Sequence, residues 1–241
     1  MSESMDFFYD INARQEIEIE RYTGYDEKVV IPERIEGLPV AAILEHAFAG
    51  VSEVVEVIVP EGVRSIGEEA FSDCEDLECV ALPASLEQLG RRAFASSQKL
   101  RQISFPNGNT AFSVEDGILY KPSERALICC SPGLELETFT VPTGIETIAA
   151  GAFYQNRHLK YVRLPSTLKR IEEGAFLFTP ALLMIELPPS LEVIEPGCFL
   201  MGPGKFAEKA FSIYAFQNTA GYRYAVENGI PVHRLYATII D

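Results

Sequence analysis

The sequence predicts an α/β solenoid, a single curved right-handed superhelix in which copies of one short unit stack on each other. The first observation is a phrase, LPSTLKRIEEGAF at 164–176, whose close copies stand at 82–94, 141–153 and 187–199. The second is the 23-residue step between the prolines of consecutive copies: Pro60, Pro83 and Pro106, then Pro142, Pro165 and Pro188. A period of this length indicates supersecondary units that bury their apolar sides only by stacking.

The first half of each unit predicts a β-strand. In LKYVRLP the apolar residues are Leu159, Val162 and Leu164, and the last ones alternate with period two. The proline that follows has no N–H to donate, so it marks the end of the strand. Stacked strands of this kind are expected to form a parallel ladder on the concave face.

The second half of each unit predicts a turn followed by a short helical or 3₁₀ segment on the outer side. Its apolar residues recur at spacings of three and four, as in Leu168, Ile171, Ala175 and Phe176. The small Ala lets neighbouring coils approach, and the Phe fills the space between the ladder and the outer wall. Cys198 replaces this Ala in the last unit and is expected to act as a small buried hydrophobe.

The departures from the repeat predict the remaining segments. Residues 1–30 alternate and form a β-rich N-terminal cap, and 31–210 form the solenoid. Within it, residues 107–133 form a β-meander island, because Asp116-Gly117 is a hairpin signal and Lys121-Pro122-Ser123 supplies a second turn. Residues 211–241 form a C-terminal cap with a helix that starts at Asn218 or Thr219 and stops at Gly229. MGPGKF at 201–206 is expected to be a loop, and all these parts belong to one structural domain.

The composition limits the classes of partner. The net charge of −15 argues against a nucleic-acid partner, which needs clustered Lys and Arg, and against anionic membrane surfaces. No run approaches the ~20 apolar residues of a membrane span. Five cysteines cannot form a complete disulfide framework and fit a reducing compartment. The first residues, MSESMDFFYD, are not a secretory signal, so the chain as written is expected in the cytoplasm, or outside the cell if a signal was removed.

These residues resemble the BspA-like family of bacterial leucine-rich repeats, whose unit is close to LPxxLxxIxxxAFxxCxxLxxVxL. The likeness covers roughly residues 20 to 235, and SDCEDLECVALP at 72–83 carries it closely. Three further stretches are similar to the family: 31–48, 109–120 and 220–232. The resemblance implies a leucine-rich-repeat solenoid. It also implies a surface protein linked to adhesion to host matrix proteins and to other bacteria.

No group of residues predicts chemistry. The three histidines, His46, His158 and His233, fall in separate repeats or in the cap, and Cys129-Cys130 are adjacent on a strand and point to opposite sides. No zinc, nucleotide or hydrolase motif is complete. We therefore expect no catalytic residue, no metal and no cofactor. An enzyme with a site in the 107–133 island, near Tyr120 and Cys129, is the weakest alternative.

The strand face is where a protein partner is expected, because rigid strands present side chains in rows. The outward positions that stand out against the acidic background are Arg101, Gln102, Lys160, Tyr161, Arg163 and Met184. Tyr and Arg are frequent anchors of protein interfaces. Two alternatives stay open: these residues pair with their strand neighbours, or the apolar ones mediate self-association as a structural scaffold. A monomer is expected rather than a homo-oligomer.

Overall fold

The computed structural model describes residues 6–199 and 211–236, which form two compact units. The first comprises the residues up to 123 together with 128–134, and the second comprises 124–127 and the residues from 135 onward. Each unit is a stack of β-coils with very little helix. The MGPGKF stretch at 201–206 lies outside the described residues. The predicted curvature, superhelical hand and single domain stay predictions.

The first unit has a parallel ladder built from the strand half of its repeats. Its strands, in the spatial order β10, β8, β6 and β3, are Gln102–Ser104, Cys79–Ala81, Glu56–Ile58 and Lys28–Val30. Gln102 aligns with Cys79 and Cys79 with Glu56, so one ladder step equals one 23-residue repeat. The middle residue of each strand is buried and its neighbours face outward. The predicted parallel ladder is therefore present in this unit.

A second ladder in the first unit uses the residues before the Ala-Phe pair. It consists of β1 Phe7–Ile11, β2 Ile17–Tyr22, β5 Leu38–Ile43, β7 Ser65–Ile66 and β9 Gln88–Leu89, with β4 Arg34–Ile35 paired to β5. The pair β1 and β2 is antiparallel, and β2 then joins β5 in parallel. The N-terminal residues thus form a β-hairpin, and the role of residues 1–30 as a cap stays a prediction. The strand β3 also lies within residues 1–30, but it pairs with β6 in the repeat ladder.

The second unit repeats this arrangement. Its first ladder contains β14 Thr138–Thr140, β16 Tyr161–Arg163, β18 Met184–Leu187, β20 Ser212–Phe216 and β21 Val232–Leu235. Its second ladder contains β15 Thr147–Ile148, β17 Arg170–Ile171 and β19 Val193–Ile194, with the first residues of β13, Ala126–Cys130. Thr138 aligns with Tyr161 and Tyr161 with Met184, again one 23-residue repeat per step.

Aromatic rings stack through the core of each unit. In the first unit the ring centroids of Tyr22, Phe48, Phe71 and Phe94 follow one another at 5.1, 4.9 and 5.7 Å. In the second unit those of Phe153, Phe176, Phe199 and Phe211 do so at 4.9, 5.2 and 5.6 Å. The repeat phenylalanines are fully buried. The repeated Phe thus has the structural role that its spacing predicted.

The prediction of short helical or 3₁₀ segments on the outer side was wrong for the Ala-Phe segments, which are turns. The residue before the Ala has a positive φ in every copy: His46, Glu69, Arg92, Gly151, Gly174 and Gly197. A second positive φ comes two residues after most of the phenylalanines: Gly50, Asp73, Ser96, Gln155 and Phe178. Left-handed residues interrupt a right-handed helix. Spacings of three and four therefore arise here from turns.

Backbone hydrogen bonds in these turns run between coils. Phe48 N donates to Ala70 O at 2.7 Å, and Phe71 N donates to Ala93 O at 2.7 Å. Phe153 N donates in the same way to Ala175 O at 2.8 Å. A helix would have satisfied these donors within its own turn. The turns therefore bind each coil to the next, as the ladders do.

Two segments outside the repeat match their sequence signals. Strands β11 Ser113–Glu115 and β12 Ile118–Lys121 pair antiparallel around Asp116 and Gly117, which both have positive φ as a tight hairpin requires. A 3₁₀ turn at Pro122–Glu124 follows. Near the other end, α1 spans Ala220–Glu227, and the hydroxyl of its N-cap Thr219 accepts from Tyr222 N. The helix is present, and its role as a cap stays a prediction.

The aromatic stack makes a testable claim about stability in the first unit. Phe71 is fully buried between two stacked rings, whereas Phe8 is 59% exposed. Phe71→Ala is expected to lower the free energy of unfolding by about 3–5 kcal/mol, because it leaves a cavity among rigid coils. Phe8→Ala is the matched control and should change it by no more than about 0.5 kcal/mol. Urea unfolding followed by circular dichroism measures both free energies of unfolding. Equal losses would show that a stacked ring contributes no more to stability than an exposed ring.

Candidate binding surfaces

The outward side chains of β14, β16, β18, β20 and β21 form one surface, which we name the second-unit face. Alternation places Val162 and Ile185 in the core and leaves the residues on either side of them outside. The register puts Tyr161 between Thr138 and Met184, one ladder step from each. Three of the residues predicted to bind a partner, Tyr161, Arg163 and Met184, therefore come together on this surface, and Lys160 adjoins them.

Tyr161 and Arg163 are both exposed on the second-unit face. The Tyr161 side chain is 41% exposed although it belongs to a ladder strand. Within residues 6–199 and 211–236, no carboxylate lies at ion-pair distance from the Arg163 guanidinium. Lys160 differs, because its Nζ lies 2.5 Å from Glu137 Oε1. Strand-neighbour pairing, the alternative to partner binding, therefore applies to Lys160.

Two further residues, Tyr214 and His233, extend this surface, and the sequence analysis did not predict them there. The rings of Tyr214 and His233 stack with centroids 4.6 Å apart, and the two residues are aligned in β20 and β21. They lie in the same outward row as Arg163 and Glu186. The sequence analysis had placed His233 in the cap. The alternating pattern of SIYAF and VHRL was the signal that both residues belong to ladder strands.

The other two predicted residues lie on the first unit. Gln102 is exposed in β10, and its side-chain oxygen is 3.7 Å from Cys79 Sγ. Arg101 is exposed just before that strand, and its N–H donates to Glu78 O. The structure thus groups Lys160, Tyr161, Arg163 and Met184 in the second unit and Arg101 with Gln102 in the first. That all six form a single surface stays a prediction.

The acidity of the protein is concentrated in the first unit. Of the 35 Asp and Glu residues and 20 Lys and Arg residues, the second unit has 12 and 10, which leaves 23 and 10 for the first. The formal charges are therefore −13 and −2. The two units thus offer electrostatically different surfaces to a partner, although they share one repeat.

The ionisable groups of the described residues show little that is typical of catalysis. His46 Nδ1 lies 3.7 Å from Glu69 Oε2, and His158 is exposed in a turn. Within the described ranges, no three His, Cys, Asp or Glu residues are arranged to hold a metal ion. A groove of about 510 Å³ crosses the second ladder of the first unit, where the backbones of neighbouring coils approach closely at Gly67 and Gly90, and its lining contains neither histidine nor cysteine. The absence of an enzymatic role stays a prediction.

Burial makes the thiols and the island tyrosine poor nucleophiles. It raises the pKa of Cys74, Cys129 and Cys198 to about 12, and the pKa of Tyr120 to about 12 with a further contribution from Glu115. Cys198 Sγ also lies 2.9 Å from Glu195 O, where the S–H can donate. These groups are protonated near neutral pH, and Cys74 and Cys198 are buried small side chains, whereas Cys129 is only partly buried.

In the part of the chain that the structure describes, no helix combines the length and the apolar character needed to cross a membrane.

Comparison with known proteins identifies the repeat. The profile of the family described as BspA type Leucine rich repeat region matches residues 23–119 and 129–220 in six copies. A search among curated proteins found no match. Three solved structures of other proteins are similar to this chain. The two with a TM-score above 0.5 support the repeat fold.

The pneumococcal vaccine antigen PcpA is 16% identical over 96% of this chain and 83% of its own, with a TM-score of 0.54. A leucine-rich repeat protein from Eubacterium ventriosum is 16% identical over 88% of this chain and 71% of its own, with a TM-score of 0.54. A protein from Faecalibacterium prausnitzii, described as a leucine rich cell surface protein, is 18% identical over 88% of both chains, with a TM-score of 0.46.

The pKa shifts predict slow thiol labelling. With a pKa of about 12, Cys74 and Cys198 are expected to be thiolate in roughly one molecule in ten thousand at pH 8. Iodoacetamide should therefore label them only after denaturation, as followed by peptide mass spectrometry. The denatured chain is the control for intrinsic reactivity. Rapid labelling of the native protein would contradict their place in the coil stack.

Proposed function

Because the chain belongs to the BspA-type leucine-rich-repeat family, we propose that it is an adhesin-like protein-binding module whose second-unit face recognises a partner protein. The repeat fold is that of a protein-interaction module. Its stacked coils form a rigid backbone, and the outward positions of each strand are free to vary. An adhesin-like role is what the family suggests. The residues that we assign to recognition are Tyr161, Arg163 and Met184, with Tyr214 and His233 beside them.

The observation that carries this proposal is the exposed pair formed by Tyr161 and Arg163. Tyr161 is 41% exposed, and the Arg163 guanidinium two residues away has no ion-pair partner among the described residues, so both side chains are accessible to a partner. Tyr, Trp and Arg are the residues that most often dominate binding energy when they are buried at an interface. The neighbouring Met184 offers an adaptable apolar contact.

The ladder makes these groups effective anchors. Tyr161 and Arg163 belong to a three-residue strand whose backbone is bonded to β14 on one side and to β18 on the other. Their main chain is therefore ordered before binding, so association requires little further ordering of the backbone. Successive rows are about 4.8 Å apart, which suits contact with an extended or flat surface. A module of this kind needs no cofactor.

The test uses a double substitution that leaves the core untouched. Tyr161→Ala with Arg163→Glu is expected to weaken binding to purified host extracellular-matrix proteins by about 10- to 100-fold, because it removes two anchors of the size found at interface hot spots. Biolayer interferometry against an array of immobilised matrix proteins, with fixed bacterial cells as a second array, measures the loss. Tyr222→Ala with Arg223→Glu makes the same chemical change on α1 of the same unit and is the matched control.

Two results would overturn the proposal. One is equal binding by the two double variants; the other is the absence of binding to every member of both arrays. The self-association alternative is tested with the same samples by multi-angle light scattering. A stable oligomer of the native protein that dissociates in the Tyr161 and Arg163 variant would assign this surface to self-association.

A further inference from the structure

The strand face of the first unit carries an exposed apolar row. We name the outward side chains of β3, β6, β8 and β10 the first-unit face. The register aligns Val30 with Ile58 and Ile58 with Ala81, so three apolar side chains follow one another across the ladder. Val30 is 59% exposed, and Ile58 and Ala81 are half-buried. The opposite sides of these strands are already buried in the core, so this row has no packing role in the coil stack.

Carboxylates border this row on the side where the strands begin. Val55 N and Glu56 N both donate to Glu27 O, and Glu78 N donates to Val55 O, which puts Glu27 and Glu78 in one column two ladder steps apart. Two steps correspond to about 10 Å. Both side chains are exposed, and among the described residues neither has a cation at ion-pair distance. Glu56 stands in the next column, where Lys28 Nζ lies 2.8 Å from it.

Carboxylates outnumber cations where the strands of this face begin: Glu27, Glu56 and Glu78 stand against Lys28 and Arg101. Cys79 lies on the face in register with Glu56, and its pKa is raised by burial first and then by the charges of Glu56 and Glu78. The charge is also that of the whole unit, in which 23 acidic residues stand against 10 basic ones. The second-unit face also carries carboxylates, Glu137 and Glu186, but Glu137 is paired with Lys160 and its unit has nearly as many basic as acidic residues. The two strand faces therefore differ in the partner that they favour.

We propose that the first-unit face is a second docking surface and that it takes a basic amphipathic segment of a partner protein. Apolar side chains of the segment cover Val30, Ile58 and Ala81, and its Lys or Arg side chains reach Glu27 and Glu78. The pairing follows from charge complementarity, which steers a cationic segment to the unit and rejects an acidic one. The apolar row adds contact area that ionic attraction alone does not supply.

This surface is chemically distinct from the one formed by Tyr161 and Arg163, and it requires neither residue. A chain with both surfaces can hold a basic segment on one unit and a different protein on the other. The two binding surfaces can be tested separately, because the substitutions that test them lie in different units.

The experiment uses a fluorescein-labelled amphipathic peptide of about 14 residues. Its Leu and Lys residues are spaced with the helical period, so that they lie on opposite faces of a helix. Fluorescence anisotropy should show binding to the full chain. Glu27→Lys with Glu78→Lys is expected to weaken this binding at least tenfold, and Val30→Ser with Ile58→Ser about threefold to tenfold, since these pairs remove the ionic and the apolar contacts respectively. A peptide with Glu in place of Lys should not bind. Tyr161→Ala with Arg163→Glu should leave the affinity unchanged.

The control reverses two other exposed carboxylates of the first unit, Glu33→Lys with Glu87→Lys, and gives the same net charge. It should weaken binding less than threefold. Equal weakening by the control would overturn the proposal, because it would show that the peptide responds to the net charge of the unit and not to Glu27 and Glu78. An unchanged affinity in the Val30 and Ile58 variant would also overturn it, because the apolar row would then make no contact. Thermal unfolding verifies that each variant is folded; if the charge reversal unfolds the unit, Glu27→Gln with Glu78→Gln replaces it, with the same expected direction.

Discussion

Coil-to-coil registration is the constraint on which the rest of the structure depends. Each coil presents three sets of backbone donors and acceptors to the next: the strand half, the short strand before the Ala-Phe pair and the turn around the Phe. Within the regular repeats these contacts join residues 22 to 24 positions apart, whereas the coil between β3 and β6 is longer, because Val30 aligns with Ile58. The stacked rings fill the space enclosed by these three sets, which is why Phe71 and Phe176 have no exposed surface. The repeat length and the repeated Phe are two expressions of one packing requirement.

The positions available for function are those whose side chains this constraint does not fix. Inward positions are held to apolar residues of similar size, while the outward positions of each strand contact only their ladder neighbours and solvent. The second unit uses this freedom for Tyr161, Arg163, Tyr214 and His233, and the first for Val30, Ile58 and a border of carboxylates. The family match accounts for the coil stack, and we propose that the outward side chains of its strands select the partner. A module of this design can change partner without a change in core packing.

The stack of coils could be predicted well from the sequence because its packing rules are local and repeated. The proline spacing predicted the ladder register, and Asp116-Gly117 predicted the hairpin with its two left-handed residues. The outer segments were mistaken for helix because apolar spacings of three and four also arise when residues such as Glu69 and Asp73 adopt left-handed backbone. Polar residues in that conformation leave no clear sequence signal. Whether a charged side chain pairs within the ladder was equally hidden: Lys160 finds Glu137 whereas Arg163 has no such partner among the described residues.

The central claim is that recognition uses the outward row of the ladder and not the turn side of the coils. Tyr161 and Phe178 allow a direct comparison, because they are aromatic residues of one unit, 41% and 40% exposed. Hydroxyl-radical footprinting with mass spectrometry, with and without a bound matrix protein, measures the protection of each ring. The account predicts that binding protects Tyr161 and Met184 and leaves Phe178 as reactive as in the free protein. Protection of Phe178 with unchanged reactivity of Tyr161 would contradict it.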